Sequence, residues 1–348
     1  MTIKITKFEE LSDEAVLLLK AEDIGFFSSF DWYENWINSV LDLKNEDTAF
    51  LNYYKQNRLA LLLPLKFNRF SLESLTNYYS PIFQILSSEN SFSLSLVREF
   101  LLELKNEPFA WDVLVLQPMD KGEVSLISGL KKMGLPNIPF YCFANWYLEV
   151  NQRSFDEYFS GLSSRVKNTV ARKTKIFFQL EGAKVEIIHD AQRLKKGIQA
   201  FEAVYASSWK GQETYPEFIS GLICMASKKG ALRLGIAYIN DTAIAAQLWV
   251  VADDTAYIYK LAYDEKYKKL STGTILTATL MRYAIDVDKV KCVDYLSGDD
   301  AYKKEWMSHR RERWGIMIFN WRSLTGCLKM INEFTRFYFK KFFINKKY

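Results

Sequence analysis

The chain has 348 residues, more than one average domain, and 49% of them are hydrophobic, enough to fill two cores. The net charge is +5, but the excess sits in the last 27 residues and the nearly neutral body offers no extended phosphate track, so nucleic acid is not an expected partner. Cys142, Cys224, Cys292 and Cys327 form no C-x-x-C pair, and His189 and His309 stand alone, which argues against a disulfide frame and a zinc site.

Four unpaired thiols in apolar surroundings suggest a reducing compartment. The start, Met1 to Glu14, carries charges where a signal peptide needs an apolar run, and the apolar stretch Leu59 to Leu65 is broken by Pro64. The expectation is a cytoplasmic chain with no membrane span.

A strand near Thr2 to Lys7 precedes helices near Asp13 to Ala21 and Trp32 to Val40. The runs Ala49 to Tyr54 and Leu59 to Phe67, joined by Lys-Gln-Asn-Arg, read as a β-hairpin. After a loop around Asn77 to Pro81, a helix near Ser95 to Leu104 leads to strand Trp111 to Leu116, helix Glu123 to Met133 and strand Tyr141 to Val150. Alternating strands and helices argue an α/β unit, expected to end at 150 before the polar joint Asn-Gln-Arg-Ser.

The second unit, 151–320, opens on one long helix predicted over Phe155 to Leu180. There Arg165, Lys167, Arg172, Lys173 and Lys175 form a basic run, and Val166, Val170 and Phe177 at helical spacing would be buried; a solvated face is the default reading of such a run. Strand Lys184 to Ile188, helices Gln192 to Ser208 and Pro216 to Lys228, and strands Ala231 to Ile239 and Ala243 to Val251 follow, with Asn240-Asp241 as turn chemistry. Strand Thr255 to Ala262, a helix after Gly273, strand Lys291 to Leu296, a short helix Ala301 to Met307 and strand Gly315 to Asn320 complete it.

The tail, 321–348, holds Arg322, Lys329, Arg336, Lys340, Lys341, Lys346 and Lys347 against Glu333, a local charge of +6 that leaves −1 for the rest. Leu324, Leu328, Ile331, Phe334, Tyr338 and Phe342 make an apolar stripe. Two readings fit this basic amphipathic helix: peripheral contact with an anionic inner membrane face, or a terminal helix packing its aromatics on the body.

The stretch most able to carry chemistry runs from Lys268 to Trp306. Lys268 and Lys269 precede Ser271-Thr272-Gly273-Thr274, a helix start whose free amides suit an anion such as a diphosphate, and Leu276, Leu280 and Ala284 would share one face of the helix. An ordinary capped helix start accounts for the same residues. On the next strand Asp294 shares a face with Cys292 and Leu296, and Lys260, between Ile258 and Ala262, is its expected partner. That pair is either a structural link or a proton acceptor with its countercharge. No Ser-His-Asp or Cys-His set is evident, which is consistent with direct attack by a substrate nucleophile.

The segments Phe26 to Trp36, Tyr158 to Phe177, Phe201 to Gly211, Tyr257 to Leu276 and Val293 to Trp306, in this order, resemble the acyl-CoA N-acyltransferase (GNAT) superfamily, in its FemAB-like branch with CelD-type acetyltransferases of exopolysaccharide synthesis. The resemblance implies an α/β fold of tandem GNAT-like (FemAB-type) domains, each a mixed sheet flanked by helices, the first a degenerate copy. It implies acetyl-CoA or another acyl-CoA as co-substrate, no metal, and the amine of an amino sugar, glycan or cell-envelope precursor as acceptor. It places the donor on Tyr259, Lys260, Leu261 and Ala262, with its phosphates at Lys268, Lys269 and Ser271 to Thr274. It assigns Tyr302 and Lys303 to catalysis and Arg165 and Lys210 to substrate binding; Asp294, from its place on the strand, joins both sets as proton acceptor or acceptor-site carboxylate. For Lys303 solvation is the simpler reading, and for Trp209 a place in the core. The sequence departs from the superfamily's Gln/Arg-x-x-Gly-x-Gly/Ala loop in keeping only Gly273. A non-catalytic scaffold of polysaccharide synthesis remains an alternative. So does an aminoacyl-tRNA-dependent FemAB-type transferase, although no coiled arm is evident.

Overall fold

The computed structural model describes residues 1–41, 47–88, 92–107 and 111–343, with backbone alone over 340–343. In chain order the elements are β1 (Thr2–Thr6), α1 (Asp13–Lys20), α2 (Phe30–Val40), β2 (Asp47–Lys55), β3 (Arg58–Asn68), β4 (Ser71–Ser74), β5 (Leu86–Ser87), α3 (Leu94–Leu104), β6 (Val113–Asp120), α4 (Lys121–Ser128) and β7 (Asn137–Glu149). They continue with α5 (Phe155–Ser160), α6 (Ser164–Phe178), β8 (Lys184–Ile188), α7 (Leu194–Ala206), α8 (Pro216–Lys228), β9 (Leu232–Ile239), β10 (Thr242–Ala252), β11 (Thr255–Tyr263), α9 (Thr272–Arg282), β12 (Cys292–Ser297), α10 (Ala301–Trp306), β13 (His309–Phe319) and α11 (Leu324–Phe343).

Local chemistry explains most of these boundaries. Gln56 and Asn57 adopt left-handed φ of 52° and 60° between β2 and β3, and Asn240 and Asp241 do so at 47° and 61° between β9 and β10, the backbone that a tight hairpin demands. The long helix expected over 155–180 is instead two helices. The first ends at Gly161, and the Ser163 hydroxyl caps the second by accepting from the Val166 amide.

Two compact units form. The first comprises Met1–Ile37, Leu41–Phe143 and Glu312–Tyr348, the second Asn38–Val40 and Ala144–Arg311. These limits differ from the expected breaks at 150 and 320 because of long-range pairing. The end of β7 hydrogen-bonds to β12 from Glu149↔Cys292 to Asn145↔Ser297, and β13 pairs with β6 from Arg313↔Asp120 to Phe319↔Val113. The tail helix is not a separate element either: Met330 and Phe334 of α11 pack on Val113, Ile138 and Phe319.

Both units follow one plan. In the first, β1, β2, β3 and β4 are antiparallel neighbours and β4 meets β6 in parallel; in the second, β8, β9, β10 and β11 are antiparallel and β11 meets β12 in parallel. Each is a mixed sheet flanked by helices. The first unit buries Leu61, Leu63, Leu114, Leu116 and Ile316 against α3 and α4, and the second buries Trp249 and Ile258 against Leu280 and Met281 of α9.

Asp112 ties α11 to the first unit. Its buried carboxylate accepts 2.6 Å hydrogen bonds from Ser323 and Thr325, and Lys329 Nζ lies 3.2 Å away. Burial alone would raise its pKa; the two hydroxyls and the Lys329 ammonium overcome that and hold the carboxyl below its usual range. A depressed carboxyl stabilises the fold above its unfolded pKa and loses that contribution as pH falls through the folded value. We expect Asp112→Ala to cost about 1–3 kcal/mol in urea unfolding at neutral pH and to speed proteolytic loss of α11. The gap to wild type should close in acid.

Candidate active site

The parallel pairing of β11 with β12 lasts three residues, from Thr255↔Cys292 to Tyr257↔Asp294. Beyond it β11 continues along β10, while β12 shifts register between Asp294 and Ser297 and follows β7. The strands part, and a cavity of about 360 Å³ opens between Leu261 and Tyr263 on one side and Tyr295, Tyr302 and Trp306 on the other. Gly273 and Thr274, in the first turn of α9, line it, as do Arg165 and Trp209. In the first unit side chains bridge the corresponding strands: the Gln117 amide donates to Ser74 Oγ at 2.8 Å and the Thr76 hydroxyl to the Gln117 carbonyl at 2.8 Å.

Gln247 sets the position of α9. Its buried Nε2 donates to the Gly273 carbonyl at 2.8 Å and to Thr277 Oγ1 at 2.9 Å, and its Oε1 accepts from Trp249 Nε1 at 2.9 Å. No sequence motif singles this residue out. The available signal was one amide in the otherwise apolar run Ala-Ile-Ala-Ala-Gln-Leu-Trp-Val, because a buried polar group demands partners.

The glycine at the helix start has a role other than turning the chain. The left-handed position belongs to Ser271, with φ 56° and ψ 38° and no side-chain cap, a strain of about 1–2 kcal/mol. The Ser271 carbonyl accepts from the Thr274 and Ile275 amides, so the Thr272 and Gly273 amides are the first-turn donors that precede any helical acceptor. A Cβ on Gly273 would meet only the Tyr263 ring, at 3.6 Å, and so glycine keeps the cleft wide here. The Thr272 hydroxyl is buried without a hydrogen-bond partner. Exposed Lys268 and Lys269 flank this start; Lys268 stands 3.7 Å from Glu265, and the Lys269 carbonyl accepts from Lys173 of α6.

The expected Lys260–Asp294 pair does not form. The β10–β11 register runs Leu248↔Lys260 and then Trp249↔Ile258, so Tyr259 is an extra residue and the alternation of faces reverses there. Ile258 enters the core against α9, whereas Lys260 pairs with Glu213 at 2.8 Å, both largely buried. Asp294 is closed in by other partners. It accepts from Asn145 Nδ2 and the Leu296 amide at 2.6 Å, its second oxygen meets Arg311 Nη2 at 2.5 Å, and it does not line the cleft.

The other site candidates divide. Lys303 is not solvated: its ammonium donates to the Tyr295 carbonyl at 3.1 Å and to that of Ser297, and burial lowers its pKa against the pull of Asp300. Gly298, at φ +116°, permits this approach, since a Cβ there would stand 2.9 Å from Lys303 Nζ. Tyr302 lines the cleft at 5.7 Å from the Tyr295 ring, and burial raises its pKa. Lys210 Nζ donates to the Leu261 carbonyl at 2.9 Å, and desolvation together with Lys260 pushes its pKa down to about 8. Trp209 is half exposed rather than core, 4.7 Å from the Tyr263 ring. Arg165 reaches Glu305 at 3.4 Å, and Glu305 is the carboxylate among the cleft residues. Among the described residues no cluster of His, Cys, Asp and Glu is gathered to hold a metal.

Residues 164–304, which supply the cleft's lining except for Glu305 and Trp306, match the family model for the acetyltransferase (GNAT) domain. No curated protein sequence matches the chain. Among solved structures, the fold is similar to FemX, with a TM-score of 0.60 at 12% identity over 92% of this chain and 98% of that one. It is also similar to L-PGS from Bacillus licheniformis, at 0.56 and 10% over 92% and 96%. A tandem GNAT protein from the clavulanic acid biosynthesis pathway gives 0.52 and 10% over 91% and 98%. The chain thus has the α/β, tandem GNAT, FemAB-type fold, and the match to the acetyltransferase (GNAT) model falls within its second unit.

Truncation at Arg311 separates a structural from a catalytic Asp294. Arg311→Met strands a buried carboxylate and should cost on the order of 3 kcal/mol in denaturant unfolding. Adding Asp294→Asn should recover most of that loss. A base that served only catalysis would show no such recovery.

Proposed function

We propose that the chain is an acyl-CoA-dependent N-acyltransferase, acetyl-CoA being the first donor to try, whose site is the opening between β11 and β12. The parting of these strands directly above the α9 start, in the unit that matches the transferase family, is the observation on which this reading rests.

The donor's amides would run along the backbone of Tyr259 to Ala262, where β12 no longer pairs with β11. Lys210 now holds the Leu261 carbonyl on that edge and would exchange it for a donor amide. The pyrophosphate would fall on the amides from Ser271 to Thr274, beside Lys268 and Lys269.

A neutral amine attacks the thioester carbonyl carbon, the C–N bond forms and the C–S bond breaks. The amine gives up one proton as the CoA thiol leaves with one. Glu305, at the cleft wall, is the group we assign to receive the amine's proton, in preference to Asp294, whose oxygens already accept from Asn145, Leu296 and Arg311. Tyr302, whose raised pKa keeps its hydroxyl protonated, is suited to donate to the leaving thiolate. Lys303 is a positioning residue that holds the end of β12. Positioning and fixed dipoles would supply most of the rate.

For the acceptor we propose an amine of an amino sugar or glycan precursor. The class comes from the sequence resemblance, and the walls of Trp209, Tyr263, Tyr302 and Trp306 offer flat apolar faces for a sugar ring.

Titration calorimetry with CoA and acetyl-CoA tests the donor. We expect saturable heat, abolished by Gly273→Trp and unchanged by Asp120→Ala. Absence of heat with both would leave a fold without this reaction. Gly273→Ala is a finer probe: it should raise thermal stability slightly, by up to about 1 kcal/mol, while weakening donor binding. In a thiol-release screen over amino sugars, Tyr302→Phe should lower turnover by about 10²-fold with little change in donor affinity.

A further inference from the structure

The tail helix has two apolar faces, and only one is used. Gly326, Cys327, Met330 and Phe334 turn toward the first unit, where Met330 and Phe334 pack on Val113, Ile138 and Phe319. Leu324, Leu328, Ile331 and Tyr338 recur at intervals of four, three and seven, and so share another face. They are 86%, 67%, 60% and 55% exposed. Beside them, the second half of α11 borders an apolar groove of about 700 Å³ against Ile138, Phe140 and Met317.

Arg322, Lys329 and Arg336 stand seven residues apart, yet they take different partners. Lys329 turns inward to Asp112, Arg322 donates to Asn106 at 2.7 Å, and Arg336 meets Glu333 at 3.1 Å. The charge without an acidic counterpart in sequence is Lys340, Lys341, Lys346 and Lys347, of which the last two lie outside the described residues.

We propose that α11 lies in the plane of an anionic lipid surface, with Leu324, Leu328, Ile331 and Tyr338 entering the acyl boundary and the terminal lysines drawn to lipid phosphates. No helix among the described residues is long and apolar enough to cross a membrane, so the contact is peripheral. A second copy of the chain is the lesser occupant, because a dimer would leave the excess positive charge of the tail without the anionic partner that a lipid surface supplies. The proposal is independent of the transferase reading.

Vesicle flotation of the full chain decides it. Wild type should float with phosphatidylcholine vesicles containing phosphatidylglycerol and should sediment with phosphatidylcholine alone. The variant Leu324→Ser/Leu328→Ser/Ile331→Ser should lose at least about fivefold in bound fraction. Its thermal midpoint should hold, since the replaced side chains are exposed. Wild type that stays at the bottom with the anionic vesicles, equal flotation on both lipids, or a variant that floats unchanged would overturn the proposal. So would a wild-type dimer that the variant converts to monomer without any lipid binding.

Discussion

A parallel strand pair that holds for three residues and then parts is the constraint on which this molecule turns. While β11 and β12 are paired, their main-chain groups satisfy one another; once they diverge, the edge of β11 needs other partners. Both divergences are built. The extra residue at Tyr259 twists β11, and the register shift between Asp294 and Ser297 sends β12 to β7. The triad of Asn145, Asp294 and Arg311 then locks the second bend by filling the lone pairs of one buried carboxylate.

The first unit provides an internal control. It has the same strand plan and the same single parallel pair, yet Ser74 and Thr76 stitch the gap to Gln117. Side-chain hydrogen bonds thus bridge the strands of the first unit at the position where the second unit carries its cleft. Function lives in such local choices, not in the fold that hosts them.

Lysine chemistry around the cleft shows how burial redistributes roles. Lys260, Lys303 and Lys210 all lose part of their hydration, and each is answered differently: by a carboxylate, by strand-end carbonyls, and by an edge carbonyl beside a second ammonium. Only Lys210 keeps a partner that a ligand amide could replace. The amide Gln247 plays the complementary part, joining helix start to strand without any charge to desolvate.

Local sequence patterns by themselves determined most elements: the hairpin turns at Gln56-Asn57 and Asn240-Asp241, the Pro216 helix start, the apolar face of α9 and the basic tail. Each depends on residues within a turn or two, where propensity and hydrogen-bond geometry act directly. The tertiary structure alone decided which charges meet. A one-residue bulge reverses every following side chain, so no spacing rule could assign Lys260 to Glu213 rather than Asp294. Likewise the pairing of Glu149 with Cys292, and of Asp120 with Arg313, joins segments more than 140 residues apart and moves both unit boundaries. Glu305 and Gln247 became visible as site residues only when the separate strands and helices that hold them were brought to one opening, because their roles follow from neighbours distant in sequence.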